Sequence, residues 1–144
     1  MFAGTYFHTL DSKGRVSIPS RYREILQQEG DRQLILTNYD GYILAFAQSQ
    51  WAKVETKLGE RVSFKKLPRA FQRFLTSGVG ECPLDRQGRI LIPPHLRDYA
   101  KLTREVALIG AVTCFEIWDR GAYEAHRAQL EDMINDEVID ELLL

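Results

Sequence analysis

A ten-residue phrase is written twice in this chain, as Leu10-Asp-Ser-Lys-Gly-Arg-Val-Ser-Ile-Pro19 and as Leu84-Asp-Arg-Gln-Gly-Arg-Ile-Leu-Ile-Pro93. Six positions are identical at a constant shift of 74 residues, and Val16 against Ile90 keeps a seventh β-branched. A repeat of this length restricts the chain to folds that use one small supersecondary unit twice. Within each copy Asp and Gly bracket a four-residue turn. The Asp carboxylate can bond the turn backbone, and the Gly tolerates a positive φ. An extended run enters the turn and a largely β-branched run, residues 15–18 or 89–92, leaves it, so each phrase predicts a hairpin.

Proline then ends the strand and opens a helix, over residues 19–28 and 93–100, where its missing N–H costs nothing in the first turn. Each unit therefore reads strand, tight turn, strand, helix. Residues 2–10 alternate large and small side chains and form the entering strand. Gly30 and Asp31 stop the first helix; residues 33–37 make a strand, 38–41 a turn and 42–46 the return strand. A helix over residues 49–58, with Ser49 as its N-cap, puts Trp51, Val54 and Leu58 on one face.

The middle piece, residues 61–75, is basic at Lys65, Lys66, Arg69 and Arg73 and predicts a further helix after Pro68 that buries Phe71, Phe74 and Leu75. Its bases fit a solvated helix face. Its large apolar residues suit a connector packed on the body rather than a flexible linker. The second unit repeats the plan with residues 77–84 as its entering strand. Residues 106–109 match 34–37 at a shift of 72 and residues 115–118 match 42–45 at a shift of 73, residues having been lost from the second copy. Pro83 cannot donate to a ladder, so its position must lie on an edge or at a bulge. A last helix begins at Asp119 and runs toward Leu144, with Tyr123, Leu130, Ile134, Val138 and Leu142 at helical spacing. The domain plan is a first unit with its following helix over residues 1–60, a connecting helical segment over 61–76, and a second unit with the C-terminal helix over 77–144.

Charge supports a division of labour. Nineteen Lys and Arg against twenty Asp and Glu leave the chain almost neutral, so global charge announces no nucleic-acid partner. Locally the balance differs. Residues 12–23 carry Lys13, Arg15, Arg21 and Arg23 with no acid, and residues 86–97 carry Arg86, Arg89 and Arg97 with no acid. Residues 129–144 carry six acids and no base, so an acidic tail cancels a basic working surface. Cys82 and Cys114 stand 32 residues apart without a CxxC, which suggests neither a disulfide framework nor a zinc site and fits a reducing cytoplasm. No run approaches membrane-spanning length, and the N-terminus lacks the pattern of a secretion signal.

Asp11 and Arg15, like Asp85 and Arg89, sit four apart across a turn. One reading is an exposed pair that pins a hairpin and contributes well under ~1 kcal/mol. The other is that Asp11 and Asp85, with Gly14 and Gly88 shaping the turns, hold the arginines extended toward a phosphate or the O6 and N7 edge of guanine. Duplication among acid-free basic residues favours the second. Lys13 at the turn tip is a phosphate contact, Arg86 shifts that base by one position in the second copy, and Arg21 points from the following helix toward the same end. The DNA-binding set is thus Lys13, Arg15, Arg21, Arg86 and Arg89, with unequal contributions from the two copies. Arg23 and Arg97 fit either a surface role or packing beneath the sheet. His8, His95 and His126 share no ligand spacing, and no catalytic constellation emerges, so no catalytic residue, metal or cofactor is assigned.

The series Phe2, Gly4, Tyr6, His8, Leu10, Asp11, Lys13, Gly14 and Arg15, the second run from Leu84 through Pro94 to Leu96 and Arg97, and the later Phe115-Glu-Ile-Trp118 resemble the MraZ family. These are bacterial regulators built from two AbrB-type units, and the match runs from Phe2 to about Tyr123. The resemblance implies an α+β fold in which two swapped-hairpin half-barrel units form an internal pseudo-dimer with peripheral helices. It implies a sequence-specific DNA-binding transcriptional regulator of the cell-division and cell-wall gene cluster, including its own promoter. Binding would be to tandem G-rich repeats of double-stranded DNA by a homo-oligomeric ring of about eight subunits, cytoplasmic and nucleoid-associated. No membrane and no small-molecule substrate is implied, and an enzyme is the least fitting class. The alternative is an antitoxin-like AbrB-type protein whose C-terminal segment captures a partner.

Overall fold

A computed structural model of the chain describes residues 1–61 and 66–143. Lys65, the Lys66 side chain and Leu144 lie outside the described residues. In chain order the elements are β1 (Thr5–Thr9), β2 (Arg15–Ser17), α1 (Ser20–Gln28), β3 (Gln33–Tyr39), β4 (Tyr42–Ala47), α2 (Gln48–Arg61), α3 (Lys66–Ser77), β5 (Gly80–Pro83), β6 (Arg89–Leu91), α4 (Pro94–Tyr99), β7 (Glu105–Gly110), β8 (Phe115–Asp119), α5 (Arg120–Met133) and α6 (Asp136–Leu143). The class is α+β, with antiparallel strand pairing and helices on the outside.

Strand pairing crosses between the two copies of the unit. The six-stranded sheet has the order β1-β7-β8-β4-β3-β5, so the entering strand of each copy pairs with a strand of the other. The β2 and β6 strands, one from each copy, pair with each other as a separate two-stranded ribbon. Registers repeat when the copies are exchanged: at the sheet centre Ile43 faces Ile117, Ala45 faces Phe115, and Leu44 faces Glu116 between them. On the flanks Thr9 faces Glu105 as Pro83 faces Gln33, a shift of 74 for the entering strands and of 72 for β3 and β7. The shift of 73 expected for residues 115–118 is therefore 72, the same as for β7: α4 spans six residues against nine in α1 and one residue returns in the following loop. Pro83 ends an edge strand, as its missing N–H requires.

The continuous apolar run of β3 is buried on both faces, which is why it lacks simple alternation. Leu34 and Leu36 join Val106, Leu108 and Ile117 under the ribbon, α1 and α4, where Val16, Ile18, Leu26, Ile90, Ile92 and Leu96 complete the main core. On the opposite face Ile35, Phe46, Trp51, Leu75 and Cys114 form a smaller cluster with Val54 and Leu58 of α2 packed against it. Full burial of each such side chain contributes about 1.5–3 kcal/mol. Tyr22, Phe2 and Phe115 meet with ring centroids 4.8–5.4 Å apart, and the Tyr22 hydroxyl donates to the Gly4 carbonyl at 3.0 Å.

Four local expectations are corrected. Residues 77–79 are not strand: α3 runs through Ser77, because Thr37 and Asn38 of β3 donate to the Leu75 and Phe74 carbonyls and so satisfy its C-terminal end. Leu75 is buried as expected, but Phe71 and Phe74 are 46% and 42% exposed, each touching a single ring among the described contacts, Tyr39 at 6.4 Å and Tyr99 at 6.0 Å. Ser49 lies inside α2 rather than capping it; its hydroxyl donates to Glu29 and Asp31 at 2.6 and 3.0 Å and ties the helix to the end of α1. The C-terminal helix begins as expected, with Asp119 accepting from the Ala122 N–H at 3.2 Å, but it breaks at Ile134 into α5 and α6.

Candidate nucleic-acid interface

The ribbon places Arg15 opposite Leu91, Val16 opposite Ile90 and Ser17 opposite Arg89. Each turn extends the ladder of the other copy: the Ile18 N–H donates to the Gly88 carbonyl at 2.9 Å and the Ile92 N–H to the Gly14 carbonyl at 3.0 Å. Strand alternation sends Val16 and Ile90 into the core and leaves Arg15, Ser17, Arg89 and Leu91 on the outer face. The two hairpins are in this way fused into one surface.

In the first turn the Asp11 carboxylate does three jobs. Its Oδ1 accepts from the Lys13 and Arg15 backbone N–H groups at 2.9 and 2.8 Å, and its Oδ2 accepts from Arg15 Nε at 2.6 Å. Asp85 repeats this with the Gln87 and Arg89 N–H groups at 2.8 and 2.9 Å and Arg89 Nε at 2.9 Å. The backbone N–H of Arg15, with the Arg15 side chain and the Lys13 N–H adding to it, holds the Asp11 carboxyl down at about 2. Asp85 is lowered in the same way, first by the Arg89 N–H. Both ion pairs are partly exposed and add little to stability. What they do is orient: the aspartate takes Nε of each guanidinium, which fixes the plane of the fork and leaves its terminal nitrogens without a hydrogen bond to that aspartate.

Gly14 and Gly88 are glycine for two reasons. Their φ values are 89° and 75°, in the left-handed region. A Cβ at Gly14 would also stand 2.6 Å from the Arg97 guanidinium carbon, and one at Gly88 would stand 2.7 Å from Arg23 Cδ. Arg97 Nε donates to the Ile92 carbonyl at 3.0 Å and Arg23 Nε to the Ile18 carbonyl at 3.1 Å. Of the two roles open to Arg23 and Arg97, the structure thus finds packing: each arginine leaves its own helix and lies beneath the turn of the other copy.

The structure gathers Asp11, Arg15, Asp85 and Arg89, with Arg89 Nη1 also 4.0 Å from Asp11 Oδ2, so the two copies meet at the ribbon centre. Lys13 and Arg86 are exposed at the two turn tips. Arg21 is exposed on the first turn of α1 and stands outside the group that the aspartates gather. Two features were not anticipated, the arginines before β3 and β7 and one exposed leucine. Arg104 accepts the Leu10 N–H on its carbonyl at 2.7 Å and lines, with Asp11, Ser12 and Gly14, a cleft of about 670 Å³ beside the first turn. Arg32 does the same for the Leu84 N–H at 3.1 Å, and the recurrence of arginine before β3 and β7 was a signal available in the sequence. The other is Leu91, exposed between the arginines. Cys82 and Cys114 are free and buried, and burial pushes the Cys82 thiol up to about 12. Among the described residues no three His, Cys, Asp or Glu side chains assemble as a metal site, and no helix is long and apolar enough to cross a membrane.

Fold and site together define a class: a duplicated strand-turn-strand-helix chain that joins one strand of each copy into a ribbon with two aspartate-held arginines. A family model described as "MraZ protein, putative antitoxin-like" matches it twice, over residues 1–74 and 75–143. The chain is similar to the protein named Transcriptional regulator MraZ of Syntrophobacter fumaroxidans, with 43% identity over 125 residues that cover 87% of this chain and 83% of that one. It is also similar to proteins of the same name from Desulforamulus reducens, 40% identical over 97% of this chain and 99% of that one, and Moorella thermoacetica, 43% identical over 92% and 90%. The chain belongs to the MraZ family.

Proposed function

We propose that this protein is a sequence-specific DNA-binding transcriptional regulator that lays the β2–β6 ribbon into the major groove. The observation that carries the reading is the doubled clamp, Asp11 on Arg15 and Asp85 on Arg89, on the outer face of one two-stranded ribbon. The major groove admits such a ribbon, and an extended guanidinium matches the O6 and N7 pair of guanine. In this reading Lys13, Arg86 and Arg21 meet flanking phosphates, which position the protein without reading sequence. The printed name shared by the relatives supports regulation of transcription.

The exchanged entering strands support reading the chain as an internal pseudo-dimer of swapped hairpins, with units at residues 1–60 and 77–144 joined by 61–76. Its targets in this proposal are tandem G-rich repeats upstream of the bacterial cell-division and cell-wall gene cluster, its own promoter included, in the cytoplasm and on the nucleoid. One ribbon offers two base-reading arginines and a few phosphate contacts, so a single subunit binds weakly. Linked subunits on linked repeats gain effective concentration. A ring of about eight subunits supplies that linkage, and the exposed apolar residues Leu130, Met133, Ile134, Val138, Ile139 and Leu142 of the C-terminal region are available for subunit contacts. Sedimentation at micromolar concentration is expected to find an assembly well above monomer mass; a lone monomer would remove the ring. Competition at fixed salt between duplex from upstream of its own gene and random duplex is expected to favour the former by roughly 10³-fold or more. Equal competition would reduce the ribbon to a nonspecific nucleic-acid contact.

A further inference from the structure

We infer that Leu91 reads the C5-methyl group of thymine, and that Leu91 on one side of the ribbon against Ser17 on the other gives the protein a direction on DNA. The inference rests on the DNA-binding reading above.

Exchange of the two copies maps the Arg15–Leu91 pair onto the Arg89–Ser17 pair. The arginines are equal under that exchange; Leu91 and Ser17 are not. Both pairs occupy the non-hydrogen-bonded positions of the ladder, because the flanking bonds run from Ile18 to Gly88 and from Ile92 to Gly14. At such positions facing side chains approach most closely. Leu91 is 53% exposed, while its neighbours Ile90 and Ile92 are 1% and 0% exposed. The strand therefore holds a leucine out of the core, on the same face as both guanidiniums.

A lone exposed leucine is common on protein surfaces and by itself means nothing. This one is placed where only one kind of occupant fits. An apolar protein partner covering Leu91 would also cover Arg15 and Arg89, and would have to desolvate two charges. The major groove does not, since phosphates and base edges keep the guanidiniums bonded while the thymine C5-methyl gives the leucine its apolar contact. Facing Cβ atoms on a ribbon are roughly 5 Å apart, which places that thymine within about two base-pair steps of the guanine read by Arg15. On the other side the Ser17 hydroxyl, donor and acceptor at once, accommodates any base. The two ends of the ribbon thus prefer different neighbours for the same guanine, and the protein settles on its site in one orientation.

The test uses the full chain and a tight-binding duplex selected from a random-sequence pool, read by fluorescence anisotropy at fixed salt. Each thymine is replaced in turn by deoxyuridine, which removes only the methyl. One thymine near a required guanine is expected to cost about three- to fivefold in affinity, the burial of one methyl group. Leu91→Ala and Leu91→Ser are each expected to bind the thymine and uracil duplexes alike. Leu91 is exposed, and unchanged thermal midpoints would verify that both variants fold. If no thymine is sensitive, or if Leu91→Ala keeps the thymine preference, the inference is overturned. The same holds if Leu91→Ala alters sedimentation and leaves the preference intact, which would assign Leu91 to a subunit contact. If selection yields no preferred duplex at all, the DNA-reading function falls first.

Discussion

Arg15→Ala is expected to weaken binding to a cognate duplex by roughly 10- to 100-fold, Arg89→Ala by a comparable factor, and the double variant to leave only nonspecific binding. Loss of one bidentate guanine contact costs about 1–3 kcal/mol. Neither substitution should unfold the protein, because both side chains lie on the outer face and their ion pairs with Asp11 and Asp85 are partly exposed. The signature to look for is relaxed preference at one guanine together with a shallower salt slope. Lys13→Ala should contrast with this: binding falls evenly across sequences and the slope drops by about one. Titration of the clamps does not complicate the assay. The Asp11 carboxyl is held below its ordinary value, so the contribution of its ionised form to the turn is complete above that value and is lost only as pH falls toward about 2. Titration anywhere near neutrality therefore leaves the arginines aimed. Unchanged affinity in both single variants and the double would remove the ribbon from the site.

These residues were legible in the sequence because turn chemistry is local. Asp at the first position, Gly at the fourth and a proline after the next strand specify one conformation without reference to distant chain, and the repeat says it matters twice. Pro83 was legible for the same reason: a missing N–H excludes a central strand wherever it falls. What the sequence did not reveal is non-local. Three-residue strands carry too few side chains to specify a partner, so the pairing of β2 with β6 was not apparent. The roles of Arg23 and Arg97 followed only once each helix lay beneath the other copy's turn. Reading residues 89–92 only as a largely β-branched run passed over the alternation that expels Leu91. Phe71 and Phe74 fall on the apolar face of a real helix, but periodicity shows which side is apolar and not what covers it. At residues 77–79 the satisfied carbonyls of α3 outweigh the β-like pattern that continues the repeat.

Phe115→Ala is expected to destabilise the protein by about 3–5 kcal/mol, the cost of emptying a fully buried aromatic site, and to do so in one transition that takes both units with it. Phe115 comes from the second unit, yet its ring partners are Tyr22 and Phe2 of the first, at 4.8 and 5.4 Å. The entering strand β1 has its partner in β7, and β5 has its partner in β3. A chain of residues 1–76 alone would leave β1 and β2 unpaired and expose one side of the core, and residues 77–144 would fare no better. Each piece is also near the size at which burial barely offsets chain entropy. Separately produced, the two pieces should lack near-ultraviolet dichroism and cooperative melting; mixed, they should recover both. Two resolved melting transitions in the intact chain, or native-like melting of either piece by itself, would mean that the exchanged strands are not what closes the core, and the pseudo-dimer reading would have to be given up even if the ribbon still binds DNA.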